Sequence, residues 1–352
     1  NATRLVDPEA PMQLAFFLLA SRNAAVALRA LRALRGPGRA FAVHVDPRHP
    51  EVLAALRSFA RAERRGDVEL FSELQVHRGG PSMLRAELLG LERLLERSER
   101  WQYFIYLSDS DYPMAPAADL DHFLRLHWPM NFAPVASAFD DEQGARLGRT
   151  FVVGRPDLRL RVAPSRRLVF ECGGRAHAVQ QELDYPVAPG QLQGTGSFSV
   201  GLERGFAAWL LAELRRPASL ARRLYEEEVS MGQPDETFFQ AVLLNSQWCN
   251  RHVHSSLHYS WVDNQALPSY AADDSDISSL SPMVLTTGSP QGREVLAALG
   301  STGLSPANGT PGIDLHRRYF MRKVRLPESG PLLAEVDAVL GASAEAAWRP
   351  VR

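Results

Sequence analysis

The sequence predicts an α/β fold, a mixed central sheet with helices on both faces. Two observations carry this. Through the first 126 residues, apolar runs of strand length alternate with amphipathic stretches of helical spacing, the pattern of a parallel sheet covered on both sides. From residue 132 to 170 the runs shorten and are separated by Pro, Gly and Arg, as antiparallel strands require.

The elements follow in order. Residues 14–20 are an apolar strand, and residues 24–35 a helix that Gly36-Pro37-Gly38 stops. Residues 41–45 read as a second buried strand, 51–64 as an amphipathic helix and 68–71 as a short strand. Residues 83–97 place Leu at core spacing on a helix, 103–107 form a third strong strand and 120–126 another helix. Helical patterns resume at 203–214, 218–228 and, after Pro234, at 235–245. Residues 263–316 are rich in Ser, Pro, Gly and Asp and read as long loops around a helix at 291–299; 332–340 is the final helix. There is no internal repeat and no clear linker. Residues 12–325 are therefore expected to form one domain, with 326–352 as a helical extension packed on it.

The composition fits a globular chain: 352 residues, 45% hydrophobic and 22% charged. A net charge of −1 provides no field that would favour nucleic acid or an anionic membrane. No apolar run approaches the ~20 residues of a membrane span. The chain opens Asn1-Ala2-Thr3 without Met or signal peptide, so the expectation is that a leading segment has been removed. Any membrane anchor would lie in that missing N-terminal segment. Asn1 and Asn308 each begin an N-glycosylation sequon, which permits a secretory location. Cys172 and Cys249 are the only cysteines; they exclude a Cys-built zinc site and allow one disulfide or two buried thiols.

Ligands of parallel sheets bind beyond the carboxyl ends of the strands. That rule singles out His44-Val45-Asp46 and Ser108-Asp109-Ser110-Asp111. A carboxylate at Asp46 can accept from a ribose hydroxyl or a base N–H, or it can cap the turn before Pro47. Asp109 and Asp111 can hold a divalent metal on a nucleotide's phosphates, or serve as turn residues. Asp235 and Glu236 open a helix, where acids complement the dipole; alternatively one faces a cleft as a general base. Residues 316–325 are densely basic, yet Tyr319, Phe320, Met321 and Val324 are interleaved. Some of these cations must lie against the core and need anions, and pyrophosphate is a natural partner.

Taken in order, several segments resemble the Core-2/I-branching enzyme and peptide O-xylosyltransferase family, glycosyltransferase family 14. They are His44-Val45-Asp46, Gly79-Gly80-Pro81-Ser82, the run YFIYLSDSDYP from Tyr103 to Pro113, and Gly196-Ser197-Phe198-Ser199-Val200. The run PDETFFQAVLLNS from Pro234, Leu257-His258-Tyr259-Ser260-Trp261 with Asp263-Asn264, and Tyr319-Phe320-Met321-Arg322-Lys323-Val324 complete the set. The segment from Leu257 to Asn264 is most similar to the plant-type β-glucuronosyltransferase-like branch. The likeness runs from about residue 14 to 340.

The resemblance implies a GT-A-like nucleotide-sugar-binding fold. It implies inverting transfer of xylose, glucuronic acid or N-acetylglucosamine from a UDP-sugar to a hydroxyl of a glycan or glycoprotein, with a β-linkage. The implied location is the Golgi lumen or outside the cell. By the same analogy Glu236 is the catalytic base, and Arg322 and Lys323 neutralise the UDP diphosphate in place of a metal. His44 and Asp46 would contact the nucleoside. Gly79, Gly80, Asp109, Asp111, Asp235 and Trp261 would line the donor sugar and acceptor. No cofactor is required on this reading; a metal, if used, would sit at Asp109 and Asp111. Adjacent side chains of a strand point to opposite faces, so Arg322 and Lys323 can meet one anion only at a strand end, bulge or turn. An oxidising compartment would favour a Cys172–Cys249 bridge.

The chain departs from the family pattern at three places. His77-Arg78 precedes Gly79 where an aromatic is usual, Phe198-Ser199 replaces a Gln-Trp-aromatic run, and Asp109 replaces a small residue. These departures keep open a second reading, a non-catalytic secreted relative that binds glycans or has a structural role. A dinucleotide-binding dehydrogenase is excluded, since no Gly-x-Gly-x-x-Gly follows the first strand.

Overall fold

The structure, a computed structural model, describes residues 12–78, 80–134, 165–172, 175–182, 197–228, 234–253, 255–260, 284–300 and 318–347. Asn1, Gly79, Trp261 and Asn308 lie outside the described residues.

The first half runs β1 (Leu14–Ala20), α1 (Ala24–Ala33), β2 (Arg39–Val45), α2 (Pro50–Ala62), β3 (Val68–Phe71), α3 (Pro81–Arg97), β4 (Tyr103–Ser108), β5 (Asp111–Pro113) and α4 (Ala117–Leu126). Then come β6 (Asn131–Phe132), β7 (Ser165–Cys172), β8 (Arg175–Glu182), β9 (Gly201–Glu203), α5 (Arg204–Leu214) and α6 (Leu220–Glu228). A 3-10 turn (Pro234–Glu236) leads into α7 (Phe238–Leu244), and a second (Cys249–Arg251) into β10 (His252–Val253). The last elements are β11 (His258–Ser260), α8 (Pro290–Gly300), β12 (Phe320–Arg322) and α9 (Gly330–Ala347).

The main sheet has the order β10-β6-β9-β4-β1-β2-β3. β1 to β4 are mutually parallel, whereas β9 runs antiparallel to β4 and β6, so the sheet is mixed as predicted. Strand alternation explains its two faces. Leu14, Phe16 and Leu18 pack with Leu31 of α1, Leu56 of α2 and Phe123 of α4. Ala15 and Phe17, pointing the other way, pack with Leu84 and Leu91 of α3, Phe206 of α5 and Phe239 of α7. Each such Leu or Phe side chain contributes ~1.5–3 kcal/mol by leaving water. The contact of α3 with β1 is close enough to need a glycine: a Cβ on Gly90 would stand 2.1 Å from Phe17 Cδ2.

A second, three-stranded sheet has the order β11-β12-β5. Its Tyr112 and Met321 form a further core with Leu332, Leu333 and Val336 of α9. α9 is also tied to α1: Arg29 Nε donates to Asp337 Oδ2 at 2.6 Å, and the Tyr112 hydroxyl donates to Asp337 Oδ1. Antiparallel β7 and β8 pair as a separate two-stranded ribbon.

Two of the boundaries that differ from the sequence reading bear on the site or its support. Glu203 does not open a helix; it ends β9, and its side chain caps α5 by accepting the Phe206 N–H at 3.1 Å. The helix expected from Asp235 begins only at Phe238. Thr237 has φ −127°, outside the helical region, and its N–H closes an i→i+3 turn on the Pro234 carbonyl at 3.3 Å. Asp235 and Glu236 therefore sit on a tight turn ahead of α7, not in its first turn.

Candidate active site

Because β1 to β4 run parallel, their carboxyl ends share one edge of the sheet, with Asp46 after β2 and Asp109 after β4. Asp46 is buried. Its Oδ1 accepts from the Arg48 backbone N–H and Nε, both at 2.9 Å. Its Oδ2 accepts from Arg48 Nη2 at 2.6 Å and from the Val76 N–H at 2.9 Å. A carboxylate offers about four acceptor positions, and these four donors fill them. Burial alone would raise this carboxyl, but the bonds from Arg48 and Val76 outweigh it and hold it well below the usual range. A nucleoside hydroxyl reaching Asp46 would have to displace Arg48.

His44 is engaged in the same way. Its Nε2 accepts the Glu73 and Leu74 N–H groups at 3.3 and 3.1 Å, and burial pulls the ring down to about 4, so it stays neutral. Together His44 and Asp46 fix the backbone of residues 73–76, which leads to Arg78 and to Gly80, the residue that precedes α3.

The Asp109-Ser110-Asp111 pair splits. Asp109 Oδ2 accepts the backbone N–H groups of Ser21, Arg22 and Asn23 at 2.8, 2.8 and 2.9 Å. Those donors lie at the start of α1, where unpaired N–H groups and the helix dipole favour an anion. Asn23 makes no side-chain cap bond; Asp109 instead holds the backbone of the three residues that lead into α1. Asp111 Oδ2 accepts the Ser108 N–H at 2.6 Å and faces Arg322.

Arg322 ends β12 and stands opposite Asp111 in the antiparallel register with β5. Its Nη1 donates to Ser108 Oγ at 2.5 Å and lies 3.3 Å from Asp111 Oδ2. Its guanidinium carbon is 4.3 Å from the Phe198 ring centre. The Nε is buried with no hydrogen-bond partner among the described residues. Lys323 follows just past the strand end, where the two-faced alternation stops. Its ammonium is pulled down to about 8, by burial first and then by the charges of Arg322, Arg78 and Arg325.

The acids of the 3-10 turn feel the charges of Arg322 and Arg78. Asp235 is buried, and its Oδ1 has no partner among the described residues. Both Asp235 and Glu236 are pushed upward by burial; for Glu236 the neighbouring Asp235 adds to the rise, while Arg322 and Arg78 oppose it. The turn thus carries a carboxyl pair held upward by burial, within the electrostatic reach of a guanidinium whose Nε has no partner among the described residues.

Three buried residues that interact electrostatically with these groups were not singled out by sequence reasoning for a role. Glu87 of α3 is fully buried, and neither of its oxygens has a partner among the described residues. Its signal was present: Leu84, Glu87, Leu91 and Leu94 fall on one helical stripe, a carboxyl amid leucines. Tyr106 of β4 has its phenol pushed well up, by burial first and then by Glu87 and Asp235. The ring of His258, stacked on Phe320 at 5.0 Å, is pulled down to about 4 by burial.

Cys249 is disulfide-bonded in the structure, and Cys172 is the chain's other cysteine. Among the described residues no helix is long and apolar enough to cross a membrane.

The chain is similar to a β-glucuronosyltransferase, GlcAT14C, of Arabidopsis thaliana: 32% identical over 246 residues, 67% of this chain and 58% of that protein. Xylosyltransferase sqv-6 of Caenorhabditis elegans is 24% identical over 266 residues, 72% of this chain and 29% of that one. Human xylosyltransferase 1 is 26% identical over 257 residues, 71% of this chain and 24% of that one. The chain thus spans between about a quarter and three-fifths of the length of these relatives. The family model described as Core-2/I-Branching enzyme matches residues 14–284, more than three-quarters of the chain, and the chain belongs to that family.

Proposed function

We propose that this chain is an inverting glycosyltransferase of the GT-A type that moves a sugar from a UDP-sugar to a hydroxyl of a glycan or glycoprotein in the secretory pathway. The observation that carries the reading is that the charge of Arg322, whose Nε has no partner among the described residues, acts on the buried Asp235–Glu236 turn. Inverting transfer is one in-line displacement at the anomeric carbon. Glu236, once ionised, takes the proton of the acceptor hydroxyl, whose oxygen forms the new bond to that carbon. The bond to the UDP oxygen breaks, and its electron pair leaves with UDP. Negative charge grows on the diphosphate, where the Arg322 guanidinium and the Lys323 ammonium stabilise it. Asp111 and Ser108 hold Arg322 in place for that contact. The nucleoside is proposed to lie against residues 73–78, held from behind by His44 and Asp46. Gly79, Gly80 and Trp261 are carried into this proposal by the family resemblance alone, as donor-sugar or acceptor contacts.

No metal is needed on this reading. Asp109 Oδ2 is already spent on three backbone N–H groups, so a cation there would have to compete with the start of α1.

The donor is one of the sugars that the relatives' names and the family suggest. The test is a transfer and hydrolysis assay on UDP-xylose, UDP-glucuronic acid and UDP-N-acetylglucosamine, with and without EDTA. Turnover of one donor that survives EDTA supports the proposal; absence of turnover with intact UDP binding would favour a glycan-binding relative.

A further inference from the structure

The proposed mechanism leaves Glu87 without a use, although it is a buried carboxyl with no partner among the described residues. It is fully buried on the leucine stripe of α3, which packs against the Pro234–Glu236 turn. Neither of its oxygens meets a donor among the described residues, and neither does Asp235 Oδ1. The charged and titratable groups that face it come from several elements: Asp235 and Glu236 from the turn, and Tyr106 from β4. Arg322 of β12 and Arg78 act on the same turn.

Burial and the nearby acids disfavour an ionised carboxylate in such a place, which favours the neutral, protonated form. A neutral carboxylic acid is a donor, and a buried donor needs an acceptor. The partner left without one is the carboxylate of Asp235.

We infer that Glu87 is a positioning residue: its retained proton is hydrogen-bonded to the Asp235 carboxylate, which fixes the acid turn and leaves Glu236 as the group that exchanges protons with the acceptor. The inference rests on the proposed role of Glu236. The bond from Glu87 gives the Asp235 carboxylate a donor where its Oδ1 meets none among the described residues. The upward displacement of the Glu87 carboxyl, caused by burial and then by Asp235 and Glu236, is what this arrangement requires.

The experiment compares Glu87→Gln, Glu87→Met and Glu236→Gln in the full chain, using whichever UDP-sugar the wild type turns over. Gln keeps an N–H donor, while Met keeps bulk and loses the donor. The expected result is Glu87→Gln within about threefold of wild-type kcat and Glu87→Met down by tenfold or more, with KM for the UDP-sugar little changed. Glu87→Met should also melt no lower than wild type at neutral pH, so lost rate cannot be put down to lost fold. Infrared difference spectra should show a protonated-carboxyl band in the wild type that is missing from Glu87→Gln. Wild-type rates in Glu87→Met, equal losses in both Glu87 variants, or absence of the band would overturn the inference. If Glu236→Gln stays active, the base assignment fails instead, and the Glu87 results are read without it.

Discussion

Arg322 and Asp111 face each other across the antiparallel pair of β12 and β5, 3.3 Å apart from Nη1 to Oδ2, although 211 positions separate them. Ser108 joins the pair from both sides, accepting from Arg322 through Oγ and donating to Asp111 through its N–H. The pair holds in place a partly buried guanidinium whose charge acts on the acid turn. Charge-assisted bonds to an anion there are worth ~1.5–3 kcal/mol each. Arg322→Ala should therefore weaken UDP binding by roughly tenfold to a hundredfold in calorimetry, and Arg325→Ala, on an exposed position, by much less. Equal losses at both would point to a diffuse electrostatic patch.

Asp109 serves the fold through the start of α1. Asp109→Ala should lower stability by about 1–2 kcal/mol in denaturant titration, since three backbone N–H groups lose their acceptor. Activity in the wild type should persist in EDTA. Complete loss, restored by manganese, would return Asp109 and Asp111 to the diphosphate.

Glu87 makes stability depend on pH in a stated direction. Its folded-state pKa lies above its ordinary 4.5, so the folded chain binds a proton that the unfolded chain releases at neutral pH. That contribution is complete below the ordinary value and is lost as pH rises above it. Glu87→Gln keeps the hydrogen-bond donor without the proton linkage. It should melt higher than wild type at about pH 8, with the gap closing toward about pH 4.5. A gap independent of pH would mean that Glu87 is not the group responsible.

The raised carboxyls of the turn set the pH dependence of turnover. Burial and the charge of Asp235 push Glu236 up, so the ionised base becomes more abundant as pH rises through neutrality. The kcat should climb between about pH 6 and pH 8. A profile already flat across that range would place the base at its ordinary value and argue against the assignment.

Cys249 opens the turn that follows α7, and the Cys172–Cys249 bridge proposed for it would close a loop worth up to ~5 kcal/mol in the chain-entropy model. Mass analysis of the unreduced chain should find it two hydrogens lighter than the reduced chain. Two free thiols would exclude the bridge.

What was legible in the sequence is what depends on near neighbours. Phe16 and Phe17 alternate between two helical layers, and that period is written in residues 14–20. The strand ends at Asp46 and Asp109 followed from the same pattern. What those acids bind did not, because their partners are remote in the chain: Asp109 meets residues 86 to 88 positions earlier. β5, β11 and β12 are three residues each, too short to show a period, and they exist only because they pair with one another. Hence the Arg322–Asp111 contact could not be read, though the need for a strand end at Arg322 could. The acids of the Pro234 turn were read as a helix start because Asp and Glu after Pro suit one equally well; the break at Thr237 decides against it. Glu87 could have been found from its place among Leu84, Leu91 and Leu94.

Glu236→Gln tests the central claim most directly. The substitution keeps shape and removes the acceptor of the proton, so kcat should fall roughly a hundredfold or more while the Kd for UDP, read by calorimetry on the same sample, barely moves. Turnover close to wild type in that variant would contradict the account.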